Sequence, residues 1–293
     1  MMITCNLMGG LGNQLFQIFT TISYALKETV EYRFLNKLTL GGGGCTLRYT
    51  FWNSIFRTLL PVLIDSFPEI ILVREPNFRY NDFQLARLLQ TRNVCIHGYF
   101  QSYKYFDKQY YTIYNLLKID KLKQEVLKKL ESLNNILRIT ENDLSNSVSM
   151  HFRLGDYKRF TNVHPIMSSD YYINSLQYIM EKNPPKTVIY FCEEEDIQTV
   201  ENTIDKCKTR FPSLHFIRVP NVFEDWEQML LMSECTHHII ANSSFSWWGA
   251  YIGFKSIYIN KIICYPSVWF ANSTNTDDLF PPEWVKIHYN PNK

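Results

Sequence analysis

With 293 residues the chain is too long for one simple core and long enough for two α/β lobes. A hydrophobic share of 46% against 20% charged residues excludes a disordered chain. A formal net charge of +2 gives no electrostatic case for a nucleic-acid partner, for which a strongly basic face is expected.

The opening "MMITCNLMGG" lacks a basic segment followed by an apolar one, so no secretory signal is read there. Residues 55–73 are apolar, but Arg57, Pro61, Asp65, Pro68 and Glu69 interrupt them, which is not a membrane span. The seven cysteines stand singly with no Cys-x-x-Cys pair, as reduced thiols do. These features predict a soluble, cytoplasmic protein, with peripheral membrane association left open.

"ITCNL" (Ile3 to Leu7) predicts a strand that "MGGLGNQ" stops. Leu15, Phe16, Phe19, Ile22, Ala25 and Leu26 then recur at helical spacing. Gly41 to Gly44 break the chain, and the aromatic stretch up to about residue 90 shows no usable period. "NVCIHGYFQS" (93–102) predicts a strand and loop, and residues 118–138 a charged amphipathic helix. "NDLSNS" (142–147) is a cluster of turn formers and the best candidate for a linker.

Beyond it, "VSMHFR", "TVIYFC", "LHFIRV", "HHIIAN" and "SIYIN" predict strands. Helices are predicted over 168–183 and 226–235, and a turn into helix over 244–254. Strands alternating with helices predict a parallel, doubly wound sheet.

Three segments carry candidate chemistry. In "GGLGNQLFQ" (Gly9 to Gln17), glycines follow a strand where the backbone turns at positive φ or meets a ligand, and a helix N-terminus aims its amides at the turn. A tight strand–helix turn explains the same residues. The spacing Gly9-x-x-Gly12 is not Gly-x-Gly-x-x-Gly, and no P-loop is present, which weighs against a dehydrogenase or kinase. In "HFRLGDY" (151–157), strand alternation puts His151 and Arg153 on one side, and Arg153 offers a planar fork suited to two phosphate oxygens. Asp156 is placed to hold Arg153, accept a proton or cap the turn; the plain alternative is a salt-bridged strand end. In "ANSSFSWWGA" (241–250), Asn242, Ser243, Ser244 and Ser246 sit at a helix start where hydroxyls and amides cap or bind phosphate, and Phe245 suits a base or ribose.

Together and in this order, the three segments resemble the α-1,2-fucosyltransferase family, glycosyltransferase family 11. "HGYFQSYKYF" (97–106), "CYPSVWF" and "PPEWVKI" extend the likeness over most of the chain. The resemblance implies an α/β fold of GT-B type, two Rossmann-like lobes with a nucleotide-sugar cleft between them. We place the lobes at 1–144 on the acceptor side and 145–293 on the donor side, the C-terminal segment being free to return to the first. It further implies an inverting transfer from GDP-β-L-fucose to the 2-hydroxyl of a galactose-terminated oligosaccharide in α-1,2 linkage. Arg153 would contact the diphosphate, flanked by His151 and Asp156 as further catalytic candidates. Gly155, Asn242, Ser243, Ser244 and Phe245 would complete the GDP-fucose site, and Gly9, Gly10, Gly12, Asn13 and Gln14 would line the opposite wall. The chain departs from the family pattern with "FCEEE" at 191–195, where relatives often have Phe-Ser-Asp-Asp, and with Leu154, where a second arginine is common.

Negative charge grows on the leaving GDP, so Arg153, Ser243 and Ser244 are the expected stabilising donors. Inversion needs a base on the acceptor hydroxyl; Asp156 is either that base or the group that orients Arg153. No cofactor or metal is expected. There is no Asp-x-Asp; Glu193 to Asp196 read as a solvated strand end or helix start, and adjacent His237 and His238 face opposite ways. The contrasting reading is a catalytically silent protein that binds a nucleotide sugar or a glycan.

Overall fold

The computed structural model describes residues 1–41, 47–137, 139–256 and 260–290. Gly42 to Gly44, Cys45 and most of the strand expected over "SIYIN" lie outside them.

The chain divides into two units, Met1–Leu122 with Asn275–Pro281, and Lys123–Thr274 with Pro282–Lys293. The first begins with β1 (Met2–Cys5), α1 (Leu11–Glu28) and β2 (Glu31–Tyr32). β1 is buried throughout, and α1 keeps residues 14–25 buried against it. In the stretch where the sequence shows no period, four of the strands among the described residues are only two residues long. These are β3 (Phe34–Leu35), β4 (Thr39–Leu40), β5 (Arg48–Tyr49) and β6 (Leu63–Ile64). β7 (Ile70–Arg74) and β8 (Asn93–His97) complete a parallel sheet ordered β2-β1-β8-β7. The 275–281 segment is fastened to this unit by Asp278, which accepts from the backbone N–H of Tyr80 at 3.2 Å and pairs with Lys104.

α2 (Tyr110–Leu116) leads to α3 (Ile119–Ser132), inside which the division falls. The turn formers at 142–147 do not mark it. Past Leu122 the helix buries Val126 and Leu130, and Lys123 and Lys129 pair with Glu234 at 2.6 Å and Glu227 at 2.5 Å, both on a helix of the second unit. The expected linker is itself partly helical. After α4 (Asn134–Leu137), α5 (Glu141–Leu144) is started by a capping box between Thr140 and Asp143.

The second unit runs β9 (Ser147–His151), α6 (Ser169–Lys182), β10 (Thr187–Phe191), α7 (Ile197–Arg210) and β11 (His215–Arg218). It continues with α8 (Asp225–Glu234), β12 (His237–Ile239), α9 (Ser244–Phe254), β13 (Ile263–Pro266) and β14 (Val285–Ile287). β9 and β10 are buried at every position, as strands covered on both faces must be. α9 is apolar almost all round and is buried from Ser246 to Gly253, with Trp247 and Trp248 fully buried. All six strands are parallel, in the order β11-β10-β9-β12-β13-β14. Counted along the chain this is 3-2-1-4-5-6, so the winding reverses between β9 and β12. The carboxyl ends of strands at such a reversal are where open α/β sheets bind ligands.

Both units are therefore helix-flanked parallel sheets, and the fold class is α/β with two Rossmann-like units. The six described cysteines are buried free thiols; burial pushes Cys5 up to about 12 and Cys192 up to about 11. Among the described residues no helix is long and apolar enough to cross a membrane.

Candidate active site

At the reversal point of the second unit, loops leave the carboxyl ends of β9, β10 and β12. His151 ends β9 and is buried, its ring 5.3 Å from that of Phe245 in the first turn of α9. The two candidate motifs, almost a hundred residues apart, thus face each other across the reversal. α6 steadies these strand ends from behind. The Tyr171 hydroxyl donates to the carbonyls of Ile240 (2.6 Å) and Cys264 (3.1 Å), and the Tyr172 hydroxyl to that of His151 (3.2 Å).

Arg153 lies just past β9 with its side chain 20% exposed. Its Nη2 pairs with Asp156 and its Nη1 with Glu193. Sheet register explains the second pairing: His151 sits opposite Phe191, so the chain two residues on brings Arg153 opposite Glu193. The guanidinium also stands 5.2 Å from the centre of the Tyr157 ring, which stacks on His164 at 4.4 Å. Burial works against the charge of Arg153, but Glu193 and then Asp156 outweigh it and keep the group cationic.

The expectation that Glu193 to Asp196 form a solvated strand end or helix start holds for the exposed Glu193, Glu194 and Glu195 and is corrected at Asp196. Asp196 is fully buried, accepts from the Gly155 amide at 2.8 Å and pairs with Lys158. Glu193 is held on Arg153, and burial pushes its carboxyl up more than that arginine pulls it down. The helix start is real, since a 3₁₀ turn over Glu194–Asp196 leads into α7. Glu193, Glu195 and Asp196 bring carboxylate oxygens within 4.8 Å of one another, a grouping able in principle to take a cation. Two of the three already carry Arg153 and Lys158.

Burial, and then the charge on Arg153, push the His151 imidazole down to about 3, so it is neutral. Its Nδ1 is buried without a hydrogen-bond partner. Such a ring is a poor proton acceptor and a good neutral polar contact. Asp156 is occupied in fixing Arg153.

Around Phe245, Ser243 caps α9 by accepting from the Phe245 amide at 3.3 Å, and Ser244 is half-buried. Asn242 does something different from its neighbours. Its amide donates to the carbonyls of Pro165 (2.9 Å) and Trp269 (3.1 Å), so it braces two loops. The Gly155 N–H is spent on Asp196, and Ser246 is buried with its hydroxyl turned to Ala241 and Ser243 carbonyls.

In the first unit, the glycine turn lies at that sheet's own reversal point, between β1 and β8. Gly9 has φ +75°, which only glycine adopts without strain, and Gly10 is the extended N-cap of α1 with no side-chain cap. Gln14 donates to the carbonyls of Gly9 (3.0 Å) and Tyr49 (2.8 Å), and Asn13 accepts from Gln101 at 2.8 Å. Gly12 is buried inside α1. Gln17, the last residue of the quoted motif and given no role there, ties the turn to the end of β8 by accepting from the Met8 amide (2.9 Å) and donating to the Gly98 carbonyl (3.2 Å).

Motif reading missed the Tyr171–Tyr172 pair, and it quoted Tyr157 and Glu193 within "HFRLGDY" and "FCEEE" without giving either a role. An acidic run at the end of the strand beside β9 was the available signal for Glu193.

The family model described as Glycosyl transferase family 11 matches residues 2–288. An alpha-1,2-colitosyltransferase from Escherichia coli is 28% identical, over 97% of this chain and 98% of that one. The O-antigen biosynthesis glycosyltransferase WbnK, also from Escherichia coli, is 26% identical over 98% of this chain and 100% of its own. A galactoside 2-alpha-L-fucosyltransferase from Caenorhabditis elegans is 23% identical over 98% of this chain and 79% of its own.

Proposed function

The chain belongs to glycosyltransferase family 11, and from that membership we propose that it moves L-fucose from GDP-β-L-fucose to the 2-hydroxyl of a galactose-type acceptor, with inversion. The observation that carries the reading is the placing of Arg153 and the α9 N-terminus together at the reversal point of a 3-2-1-4-5-6 sheet. A diphosphate there meets a guanidinium, the Ser243 and Ser244 hydroxyls and the first amides of α9. As the bond from the anomeric carbon to the β-phosphate oxygen breaks, charge accumulates on GDP, and donors already in position lower the barrier. Asp156 orients the arginine. His151 stays neutral and adds no charge beside it. The glycine turn of the first unit is assigned to the acceptor.

The Escherichia coli relative favours a second donor. Colitose is fucose without its 3-hydroxyl. A pocket built to hydrogen-bond that hydroxyl rejects the deoxy sugar by roughly 10⁴-fold or more, whereas one that leaves it unbound accepts both.

The test is a screen of GDP-fucose and GDP-colitose against lactose, N-acetyllactosamine and lipopolysaccharide fragments, with the product linkage assigned by NMR. An α-1,2-fucosylated galactoside is the expected product. GDP binding with no transfer to any acceptor identifies a silent binding protein instead.

A further inference from the structure

We infer that Glu193 and the donor's diphosphate compete for the Arg153 guanidinium, so that Glu193 sets how tightly the nucleotide is held. This rests on the proposed role of Arg153. Both terminal nitrogens of Arg153 are engaged by carboxylates, Nη1 by Glu193 and Nη2 by Asp156. A bidentate grip on phosphate oxygens uses two parallel N–H groups. The fork across Nη1 and Nη2 is thus taken up by the two carboxylates, and a diphosphate that grips this same fork has to displace one of them.

Exposure and tethering decide which one. Asp156 lies three residues from Arg153 in the same turn, and its side chain is 32% exposed. Glu193 comes from the neighbouring strand end, is 46% exposed, and re-enters water most cheaply. Asp196 is no candidate, being fully buried between Lys158 and the Gly155 amide.

The turn is shaped to receive the Glu193 carboxylate. Gly155 has φ +32°, and a Cβ there would stand 2.6 Å from Glu193 Oε2. Charge points the same way. Arg153 and Lys158 face Asp156, Glu193, Glu195 and Asp196, so the cluster is already two charges negative before a diphosphate arrives. With Glu193 in place the diphosphate meets repulsion; with Glu193 swung out the repulsion falls by one charge and the Arg153 fork is open. Glu193 is thus a positioning residue that acts through Arg153, at a place where this chain departs from the family pattern.

Titration calorimetry with GDP on the full chain tests this, using Glu193→Gln, Glu193→Ala, Glu193→Asp and Arg153→Ala. Glu193→Gln and Glu193→Ala are expected to bind GDP about tenfold tighter, the worth of one charge-assisted contact. The donor KM should fall in step while kcat moves far less, and Glu193→Asp should stay near wild type. A purely structural Glu193 would give unchanged or weaker GDP binding in both neutral variants, which overturns the inference. Arg153→Ala separates the two layers. Loss of GDP binding there, with no tightening at Glu193, sinks the competition alone, whereas wild-type GDP binding in Arg153→Ala sinks the diphosphate assignment as well.

Discussion

The Tyr157 hydroxyl donates to the Asn242 carbonyl across 3.1 Å and so ties the loop after β9 to the turn after β12. The same ring underlies the Arg153 guanidinium. One side chain thus fixes the arginine loop to the α9 N-terminus. Tyr157→Phe keeps the ring and deletes the tie. A part-buried hydrogen bond is worth about 0.5–1.5 kcal/mol net. The donor KM should therefore rise by roughly 2- to 10-fold, with the melting temperature little changed. Steady-state kinetics against GDP-fucose read this directly.

Removing the guanidinium is the harsher change. Arg153→Ala should lower kcat/KM by about 100- to 1000-fold, the usual effect of losing one preorganised donor. Stability should hold, because the carboxylates left behind are partly exposed. Arg153→Lys should recover only part of the loss, since a point charge lacks the fork. Wild-type turnover in Arg153→Ala would remove the central assignment.

How much of this was legible in the sequence varied with the physics involved. β9, β10 and α1 were readable because buried parallel strands and long helices leave unbroken apolar runs or a clear period. β13 and β14 were not, being only four and three residues long, too short for a run or an alternation to show. α7 went unread although Val200, Ile204 and Cys207 mark its buried face, because the rest of it is polar. In the site, Arg153 declared itself by its chemistry. Its pairing with Glu193 was hidden, since that contact is a product of sheet register across forty residues and has no local signal.

Two glycines separate packing from ligand approach. A Cβ at Gly253 would stand 2.7 Å from His238 Nε2 and 2.8 Å from the Ser233 carbonyl oxygen, so α9 would have to back away from α8 and β12. Gly253→Ala should cost about 1–3 kcal/mol, lowering Tm by roughly 2–4 °C per kcal/mol. Gly10 has open space around its Cβ position and an ordinary φ of −79°. Gly10→Ala should leave Tm within about 2 °C, because its stability effect stays within about 0.5 kcal/mol. If the turn meets the acceptor, the acceptor KM rises all the same. An unchanged acceptor KM would reduce the turn to a strand–helix connection.

Stability should fall steeply in mild acid. Burial pushes His151 down to about 3 and His237 down to about 4, and drives His238 well below its ordinary range. Below about pH 6.5 the unfolded chain binds protons that these native rings refuse. Unfolding then gains about 1.4 kcal/mol per pH unit for each such ring, down to its folded value. Glu75 and Glu193, raised by burial, oppose this because the native state holds their protons more tightly. Urea midpoints at pH 7, 6 and 5 should drop progressively. His151→Gln should flatten that slope by about one proton's worth; a slope that does not change would mean His151 is charged in the native state.

Chelation tests the acidic group beside Arg153. Glu193, Glu195 and Asp196 lie close enough to share a divalent ion. To reach them, an ion would have to evict Arg153 from Glu193 and Lys158 from Asp196, and break the Asp196 contact with the Gly155 amide. A hard cation of that kind wants several free oxygens, and a carboxylate already paired with a protonated amine offers few. Charge neutralisation at the diphosphate is therefore assigned to Arg153 and the α9 N-terminus. Fucosyl transfer should proceed at its normal rate in excess EDTA. Loss of activity in EDTA that manganese restores would show that the acidic group binds an ion the reaction needs.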